Sequence, residues 1–288
     1  AKKAASAGKK VLLVEKSKLG GVCLNEGCVP SKTLLQAAKT YHHAKHGSIF
    51  GVEAEGLTFD FPKAHEHKNN VMNKMRDGIA GLMKKYKVDV VEGEAKLLPN
   101  SQVEINGETH EATDILLCTG SSPAIPPIPG VDLEHVVDSS GILLRETLPN
   151  HLVVVGGGVI GCEFACMYAS VGVQVTVLEA MPEICPNLDP EVSASLREGL
   201  AKKGVTFNLG AKVESISADK VSYADDSGSN ELEADLVLVA TGRRPNTKNL
   251  GLEELGLDID DRGGVRVDNR GATNIPGLWA AGDVTGQA

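Results

Sequence analysis

Long apolar runs, basic clusters and cysteines are all scarce in this sequence of 288 residues. No apolar run approaches the roughly 20 residues that a membrane-spanning helix needs. The formal net charge of −9 leaves no basic face for nucleic acid or for an anionic membrane surface. Apolar residues make up 42% and charged residues 23%, close to the averages of soluble globular proteins. We therefore expect a soluble protein that binds neither nucleic acid nor membrane.

The six cysteines are too few for a secreted scaffold that is held together by disulfides. Residues 1–8 also lack the charged and apolar segments of a signal peptide. Both observations favour a cytoplasmic protein, or a protein of the mitochondrial matrix if the source is eukaryotic. The length is sufficient for two domains of ordinary size, each with its own core.

An internal duplication organises the chain. Gly8–Glu15 matches Gly172–Glu179, and both ends of the match are offset by the same 164 residues (172 − 8 and 179 − 15). Each segment is typical of a helix end, a glycine, a buried strand and a terminal acidic residue. The strings Thr119-Gly-Ser-Ser-Pro123 and Thr241-Gly-Arg-Arg-Pro245 also match, and each follows a polar hairpin and a short apolar strand. The sequence therefore predicts two domains of one plan.

The predicted fold class is α/β, with two doubly wound, Rossmann-like dinucleotide-binding domains, the first of them discontinuous. Turn signals at Asn106-Gly107 and Asp225–Gly228 mark a hairpin in each copy. The second copy has a glycine loop at Gly156–Gly161, and the offset places its counterpart upstream of residue 1. The first domain is therefore expected to lack its opening strand and phosphate loop. Because that strand is central in a doubly wound sheet, neighbouring strands should be left without backbone partners.

The glycine loop of the second copy follows the apolar run Leu152–Val155 and opens a helical stretch that ends near Gly172. This is the context of the dinucleotide fingerprint, whose glycines permit a tight turn, backbone approach to a pyrophosphate, and close packing of helix on strand. The phosphates would lie at the helix N-terminus, where N–H groups and the helix dipole favour negative charge. The predicted NAD-binding residues of the loop are Gly156, Gly157, Gly158, Val159, Ile160 and Gly161.

The acidic residue at the end of the next strand, Glu179, bears on the choice of coenzyme. Its carboxylate would accept hydrogen bonds from ribose hydroxyls and would repel a 2′-phosphate. No Lys or Arg occurs between Glu179 and Arg197. NAD is therefore favoured over NADP.

The second chemical motif is the segment Gly20–Lys32, in which Cys23 and Cys28 are separated by four residues. Pro30-Ser31 predicts a helix start, which places both thiols at a helix N-terminus. The partial positive charge there, with Lys32 nearby, would favour the thiolate, the species that attacks disulfides. The pattern therefore indicates a redox-active pair.

Two structural alternatives remain for this pair: buried structural thiols, or half of a zinc site. A zinc site would need a second pair of ligands at suitable spacing, and the other cysteines do not provide one, so no metal site is predicted. Those others are interpreted as small core residues: Cys118, Cys162, Cys166 and Cys185.

Taken together, these motifs resemble the pyridine nucleotide-disulfide oxidoreductases. The resemblance extends along essentially the whole chain and rests on five segments: Gly20–Lys32, Thr119-Gly120, the loop at Gly156, Thr241–Asn246 and Ala280–Asp283. It implies FAD in the first domain and NAD in the second.

The resemblance further implies a disulfide between Cys23 and Cys28 that faces the flavin. Cys23 would exchange with the substrate, and Cys28 would lie nearest the isoalloxazine ring. Lys32 would reach the flavin ring and pair with Glu163. These four are the predicted catalytic residues, and Lys32 and Glu163 also count as cofactor contacts.

The same resemblance assigns the remaining cofactor contacts. Glu15 would bind the adenosine ribose of FAD, as Glu179 would bind that of NAD, and Val213 and Gly242 would touch NAD. The other predicted FAD-binding residues are Gly20, Gly21, Ala95, Thr119, Gly120, Ser121 and Asp283, the last through the ribityl chain.

The predicted domains are residues 1–130 for the first part of the FAD domain, 131–245 for the NAD domain and 246–288 for the return to the FAD domain. Pro-rich residues 123–130 mark the first crossing. A C-terminal dimerisation domain, which carries a histidine base in the family, is expected to be absent from this chain. The histidines on two polar helical stretches are interpreted as solvated surface residues: His42, His43, His46, His65 and His67.

The resemblance predicts oxidation of a protein-bound dihydrolipoyl group to its disulfide with NAD⁺. The expected partner is the lipoyl domain of a 2-oxoacid dehydrogenase or glycine cleavage complex, and the full-length protein is expected to be a homodimer. Glutathione reductase-like and mercuric reductase-like activities are disfavoured alternatives, because both use NADPH and Glu179 opposes it. Outside the enzymes, the alternative is that this chain by itself is a nucleotide-binding fragment without turnover.

Overall fold

The computed structural model describes residues 1–287, so Ala288, the last residue of the predicted 246–288 segment, lies outside the described residues. Short 3-10 helices occur at Gly47–Phe50, Ile142–Leu144 and Asp283–Thr285. The α-helices are α1 (Lys2–Ser6), α2 (Gly21–Asn25), α3 (Cys28–Lys45), α4 (Phe61–Lys85), α5 (Val159–Ser170) and α6 (Pro190–Ala201).

The strands alternate with these helices in the pattern of an α/β protein. They are β1 (Leu12–Glu15), β2 (Asp89–Glu92), β3 (Ala95–Leu98), β4 (Gln102–Ile105), β5 (Glu108–Glu111), β6 (Ile115–Leu117), β7 (Ser121–Pro123), β8 (Val136–Val137), β9 (His151–Val155), β10 (Gln174–Glu179), β11 (Val205–Leu209), β12 (Lys212–Ile216), β13 (Lys220–Asp225), β14 (Gly228–Glu233), β15 (Leu236–Val239), β16 (Arg243–Pro245) and β17 (Leu278–Ala280).

The chain divides into two compact units. Unit 1 comprises residues 1–25, 73–122 and 243–288, and unit 2 comprises residues 26–72 and 123–242. The division into cofactor domains at residues 130 and 245 stays a prediction.

Unit 2 is built on a five-stranded parallel sheet of order β11-β10-β9-β15-β8. The apolar run Leu152–Val155 forms its central strand β9 and is buried on both faces, as continuous apolar strands of parallel sheets are. Alternate residues of β9 face opposite sides: Leu152 and Val154 belong to one core cluster, Val153 and Val155 to the other. This places the two layers of unit 2 on either side of one sheet.

The first of these clusters is covered by helices and the second by a β-meander. Phe164 and Tyr168 of α5 and Leu34 of α3 pack on the first cluster. The antiparallel strands β12-β13-β14 supply Val213 and Val221 to the second. Because β9 and α5 pack in the same cluster, the glycine loop that connects them is held at both ends.

Unit 1 repeats this plan without its central strand. It contains the parallel pairs β1-β2 and β6-β17 and the antiparallel meander β3-β4-β5, which correspond to β10-β11, β15-β8 and β12-β13-β14 of unit 2. In unit 2, β9 lies between β10 and β15; among residues 1–287 no strand lies between β1 and β6. The expected doubly wound fold, with a first domain that is discontinuous and lacks its opening strand, is confirmed.

Apolar side chains on the parallel strand pairs of unit 1 are exposed. Leu116 of β6 is 56% exposed, whereas Leu238, the matching residue of β15, is 0% exposed. Leu12 of β1 and Val90 of β2 are exposed as well. The core of unit 1 instead gathers around Leu117 and residues of the 246–287 segment, such as Leu252, Val265 and Val284.

Both predicted hairpin turns are present. Asn106 and Gly107 join β4 to β5 with φ angles of 51° and 86°, the left-handed pair that a two-residue type I′ turn requires. In unit 2, Asp225 pairs with Gly228, which leaves a two-residue turn between β13 and β14.

Three expectations from the sequence are wrong. Helix α3 begins at Cys28 rather than at Pro30; a proline within the first turn is tolerated because the first four N–H groups of a helix have no partner in the helix. Cys118 is exposed rather than part of a core, because it follows β6, which among residues 1–287 is paired only with β17. His65 is 2% exposed rather than solvated, since α4 turns it toward Phe61 and the core of unit 2.

Within residues 1–287, no helix combines the length and apolar character needed to span a membrane. In the same part of the chain, no three His, Cys, Asp or Glu side chains are grouped so that they could hold a metal ion.

Candidate functional site

The glycine loop of unit 2 connects β9 to α5 in a turn that only glycine can form. Gly156 has a φ of 107°, and a Cβ added there would lie 2.6 Å from the carbonyl oxygen of Ala240. A Cβ at Gly161 would overlap the carbonyl oxygen of Gly156. The first and third glycines of the fingerprint are therefore fixed by close backbone approach, as the sequence pattern predicted.

The second glycine leaves space for a ligand. Gly158 is the N-cap of α5, and a Cβ added to it would meet no atom within 4 Å. Val159, the first residue of α5, is exposed, while Ile160 packs on the core. The N-terminus of a twelve-residue helix thus opens onto unfilled space, an arrangement that suits the phosphates of a dinucleotide.

Glu179 lies at the carboxyl end of β10, beside this loop. Its Oε2 accepts a hydrogen bond from the Gly157 N–H at 2.6 Å and its Oε1 accepts one from the Met181 N–H at 2.8 Å. The side chain is 9% exposed. Each carboxylate oxygen has a second lone pair, so the group can also accept hydrogen bonds from ribose hydroxyls.

The first basic residue after Glu179, Arg197, forms an ion pair with Glu183. The Nε of Arg197 donates to Glu183 Oε1 at 2.9 Å, and a second guanidinium nitrogen donates to the other oxygen at 3.1 Å. The hydrogen bond from Arg197 lowers the pKa of the Glu183 carboxyl. Sequence reasoning noted the absence of nearby cations but not this pair, which requires the fold of α6 onto the loop after β10.

The two remaining predicted NAD contacts also lie in unit 2. Val213 is in β12, opposite Tyr223, and is buried in the core cluster that includes Val155. Gly242 has a φ of 113°, and a Cβ there would meet no atom within 4 Å.

The predicted FAD contacts of unit 1 fall at strand ends and tight turns. Glu15 ends β1, and its Oε1 accepts from the Ser17 N–H at 3.0 Å. Gly20 and Gly21, with φ angles of 116° and 66°, form the turn that leads into α2. Ala95 is the first residue of β3.

A hydrogen-bond network holds the predicted 119–121 segment of unit 1. The Ser121 hydroxyl donates to Asp283 Oδ2 at 2.6 Å, and Arg243 Nε donates to the same hydroxyl oxygen at 2.7 Å. The Thr119 hydroxyl donates to the Asn246 carbonyl at 2.7 Å, and the Asn246 N–H donates to the Gly120 carbonyl. Arg243 and Asn246 were not predicted as site residues, although Arg243 lies within the repeated Thr-Gly-x-x-Pro pattern and Asn246 directly follows it.

The two cysteines of the Gly20–Lys32 segment lie on successive helices. Cys23 is in the short helix α2 and Cys28 is the first residue of the 18-residue helix α3, with Gly27 as its N-cap; both are exposed. The Ser31 hydroxyl donates to the Gly27 carbonyl at 2.7 Å and closes the first turn of α3. Exposure and the helix N-terminus suit Cys28 for reaction rather than for packing.

Lys32 lies one turn beyond Cys28 on α3, so the two side chains share a helix face. The Lys32 Nζ donates to Glu163 Oε1 of α5 at 2.5 Å, and helices α3 and α5 pack against each other. Because the Lys32 side chain is 57% exposed, the ion pair adds only about 0–1 kcal/mol to stability. Its effect is to hold a positive charge at a defined place on the Cys28 face of α3.

Comparisons with known proteins cover the whole chain. The sequence profile of the pyridine nucleotide-disulphide oxidoreductase family matches residues 1–288. The chain is 40% identical to the dihydrolipoyl dehydrogenase of Bacillus subtilis over 292 residues, which cover 98% of this chain and 62% of that protein. It is 39% identical to the dihydrolipoyl dehydrogenase of Acholeplasma laidlawii, over 99% of this chain and 85% of that protein.

A solved structure is similar over the same range. The HOCl-induced flavoprotein disulfide reductase RclA from Escherichia coli is 34% identical, with a TM-score of 0.88 over 100% of this chain and 63% of that one. The chain therefore spans less than two thirds of the length of several proteins that it matches.

Proposed function

The chain belongs to the pyridine nucleotide-disulphide oxidoreductase family, and from that premise we propose that it is the greater part of a dihydrolipoyl dehydrogenase. The proposed reaction of the whole protein is oxidation of protein-bound dihydrolipoamide to lipoamide with NAD⁺. The observation that carries the proposal is the position of Cys28 as the first residue of α3, with the Lys32–Glu163 pair one turn further on. Cys23, five residues before Cys28, completes the redox pair.

Thiol–disulfide exchange is the step that these residues would perform. A thiolate of the substrate attacks Cys23 of the Cys23–Cys28 disulfide, and Cys28 leaves as a thiolate. The second substrate thiol then displaces Cys23, so that the substrate becomes a disulfide and the cysteines become a dithiol. The N-terminus of α3 and the Lys32 ammonium would stabilise the Cys28 thiolate. FAD, when bound, would carry the two electrons from this dithiol to NAD⁺.

The residues present fit both cofactors. For NAD, the open space at Gly158 and the carboxylate of Glu179 would accommodate the pyrophosphate and the adenosine ribose. For FAD, the Ser121–Asp283 hydrogen bond presents a carboxylate beside the glycine turn at Gly120, and Glu15 ends β1 as Glu179 ends β10. The other proposed FAD contacts are Gly20, Gly21, Ala95, Thr119 and Lys32.

NAD is proposed over NADP because the carboxylate of Glu179 would repel a 2′-phosphate, and Arg197 is held by Glu183. The same argument disfavours activities of the glutathione reductase and mercuric reductase types. A second candidate concerns this chain by itself: a nucleotide-binding fragment without turnover. The absence of a strand between β1 and β6 among residues 1–287 favours it, since that strand would open the FAD domain.

The whole protein is proposed to be a homodimer that acts on the lipoyl domain of a 2-oxoacid dehydrogenase or glycine cleavage complex. A histidine base from a C-terminal domain would complete its active site. The proposed location is the cytoplasm, or the mitochondrial matrix in a eukaryote. The domain division at residues 130 and 245 belongs to the same proposal.

The test is to purify the full-length protein with FAD supplied, and to measure its absorbance spectrum and its reduction of NAD⁺ by dihydrolipoamide. We expect a yellow protein whose flavin is bleached by NADH and which turns over dihydrolipoamide faster than glutathione or mercuric ion. The 288-residue chain prepared in parallel should be colourless and inactive. A full-length protein that retains no flavin, or that uses NADPH in preference to NADH, would contradict the proposal.

A further inference from the structure

Two cysteines that sequence reasoning interpreted as core residues converge on the glycine loop of unit 2. The Cys162 thiol, in the first turns of α5, donates to the Gly157 carbonyl oxygen at 3.4 Å. The Cys185 thiol, in the segment between β10 and α6, donates to the same oxygen at 3.6 Å. Both side chains are buried.

The backbone of Cys185 directs a third donor at this oxygen. Its N–H donates to the Gly157 carbonyl oxygen at 3.0 Å. Cys185 has a φ of 46°, a left-handed backbone conformation that residues other than glycine rarely adopt. Such conformations persist where the surroundings hold them and tend to occur at functional positions. Here the strained residue places both its N–H and its thiol on one carbonyl.

The consequence follows from the planarity of the peptide group. The carbonyl of Gly157 and the N–H of Gly158 belong to one trans peptide and therefore point in opposite directions. Donors that bind the Gly157 oxygen from within the protein thus direct the Gly158 N–H away from the two thiols. Gly158 is the N-cap of α5 and stands in open space, where a phosphate would bind.

The Cys162 thiol is suited to this role because it stays protonated. Burial, together with the neighbouring Cys185 thiol, raises the pKa of Cys162 to about 12. The only carboxylate among the groups that raise it is Glu179, whose own oxygens are held by Gly157 and Met181. A thiol that does not ionise remains a donor throughout the neutral range.

We propose that Cys162 and Cys185 are positioning residues for NAD, which orient the Gly157–Gly158 peptide so that the Gly158 N–H faces the pyrophosphate. The inference rests on the proposed NAD-binding function and extends it to two residues outside the fingerprint. It assigns them no redox role.

The test compares two ligands of the full-length flavoprotein. ADP-ribose carries the pyrophosphate, whereas adenosine carries only the part that Glu179 would bind. For Cys162→Ala and Cys185→Ala we expect the Kd of ADP-ribose to rise about threefold each and about tenfold together, as for weak hydrogen bonds. The Kd of adenosine should change by less than about twofold, since it makes no contact with this peptide.

Serine variants distinguish a donor from a packing residue. Cys162→Ser keeps a hydroxyl donor in nearly the same volume, so its ADP-ribose affinity should return toward that of the unmodified protein. If the cysteine only filled space, the serine variant should bind ADP-ribose no better than the alanine variant, because burial of a hydroxyl costs more than burial of a methyl group. Cys166→Ala, one turn along α5, is the matched control and should leave both affinities unchanged.

The inference would be overturned if the alanine variants bound ADP-ribose as tightly as the unmodified protein does. It would also be overturned if they lost affinity for adenosine and ADP-ribose to the same extent, or if the serine variants bound ADP-ribose no better than the alanine variants. If the alanine variants do not fold, Cys162→Val and Cys185→Val, which remove the donor but keep an apolar side chain of similar volume, take their place in the same comparison. An unmodified protein that binds ADP-ribose but does not oxidise dihydrolipoamide would contradict the proposed reaction and leave this inference standing. An unmodified protein that binds no ADP-ribose would overturn both.

Discussion

Glu179→Gln separates the two roles that the structure gives to one carboxylate. In the protein without ligand, its oxygens accept from the Gly157 and Met181 N–H groups at 2.6 and 2.8 Å. A glutamine has one oxygen, so either the buried Gly157 N–H or the partly buried Met181 N–H loses its acceptor. The cost of such a group is about 1–3 kcal/mol, which should appear in the free energy of unfolding.

The bonds to a ribose form only with the coenzyme, so their loss should appear in the Kd. A charge-assisted hydrogen bond contributes about 1.5–3 kcal/mol, which corresponds to a rise of about 10- to 150-fold in the Kd of NADH. NADPH gains from the removal of a negative charge near its 2′-phosphate, so its Kd should stay constant or fall. The ratio of the two affinities is therefore the most informative quantity.

The assay is fluorescence titration of the full-length protein with NADH and with NADPH, after the flavin has been reduced with dithionite so that it does not oxidise the ligand, together with urea unfolding monitored by circular dichroism. The matched control is Glu191→Gln, which neutralises an exposed carboxylate in the first turn of α6. It should leave the ratio of the NADH and NADPH affinities unchanged. An unchanged preference for NADH in Glu179→Gln, with reduced stability alone, would refute the assignment of this residue to the coenzyme.

Three further predictions concern single residues. Gly161→Ala places a Cβ onto the carbonyl oxygen of Gly156, so NADH binding should be lost and the unfolding midpoint lowered, as calorimetry can measure. Burial lowers the pKa of His65 to about 4, below the unfolded value of 6.5. The free energy of unfolding should therefore be highest above pH 6.5 and should fall by up to about 3 kcal/mol as the pH drops toward 4, because the unfolded chain binds a proton that the folded protein does not. Urea unfolding at several pH values should show a smaller fall for His65→Gln. Lys32→Met removes an exposed ion pair, so the unfolding midpoint should shift by only a degree or two, about 0–1 kcal/mol, while the rate of dihydrolipoamide-dependent NAD⁺ reduction by the full-length protein should decrease.

The duplication made most of the fold predictable from the sequence. Because Gly8–Glu15 repeats Gly172–Glu179, the absence of a strand like β9 from unit 1 could be inferred before any coordinates. The glycines of the fingerprint were equally accessible, since only glycine fits a φ of 107° or the space beside Gly156. These are local features, and local sequence determines them.

Long-range contacts were not predictable in this way. His65 occurs in a polar stretch, and its burial depends on the packing of α4 against distant parts of the chain: Phe61 lies against Tyr168, and the Lys68 ammonium donates to the Leu143 carbonyl. The Arg243–Ser121 bond joins residues 122 positions apart. The convergence of Cys162 and Cys185 on Gly157 likewise depends on how the segment after β10 folds back over the loop, which no local pattern reports.

The central claim is that Cys23 and Cys28 form the redox pair through which electrons leave a dihydrolipoyl group. The most direct measurement is the rate of dihydrolipoamide-dependent NAD⁺ reduction by the full-length Cys23→Ser and Cys28→Ser variants, with Cys166→Ser as the control. The account predicts that each of the first two variants loses turnover while its flavin content stays normal, and that the control keeps both. Undiminished turnover in either of the first two would contradict the account.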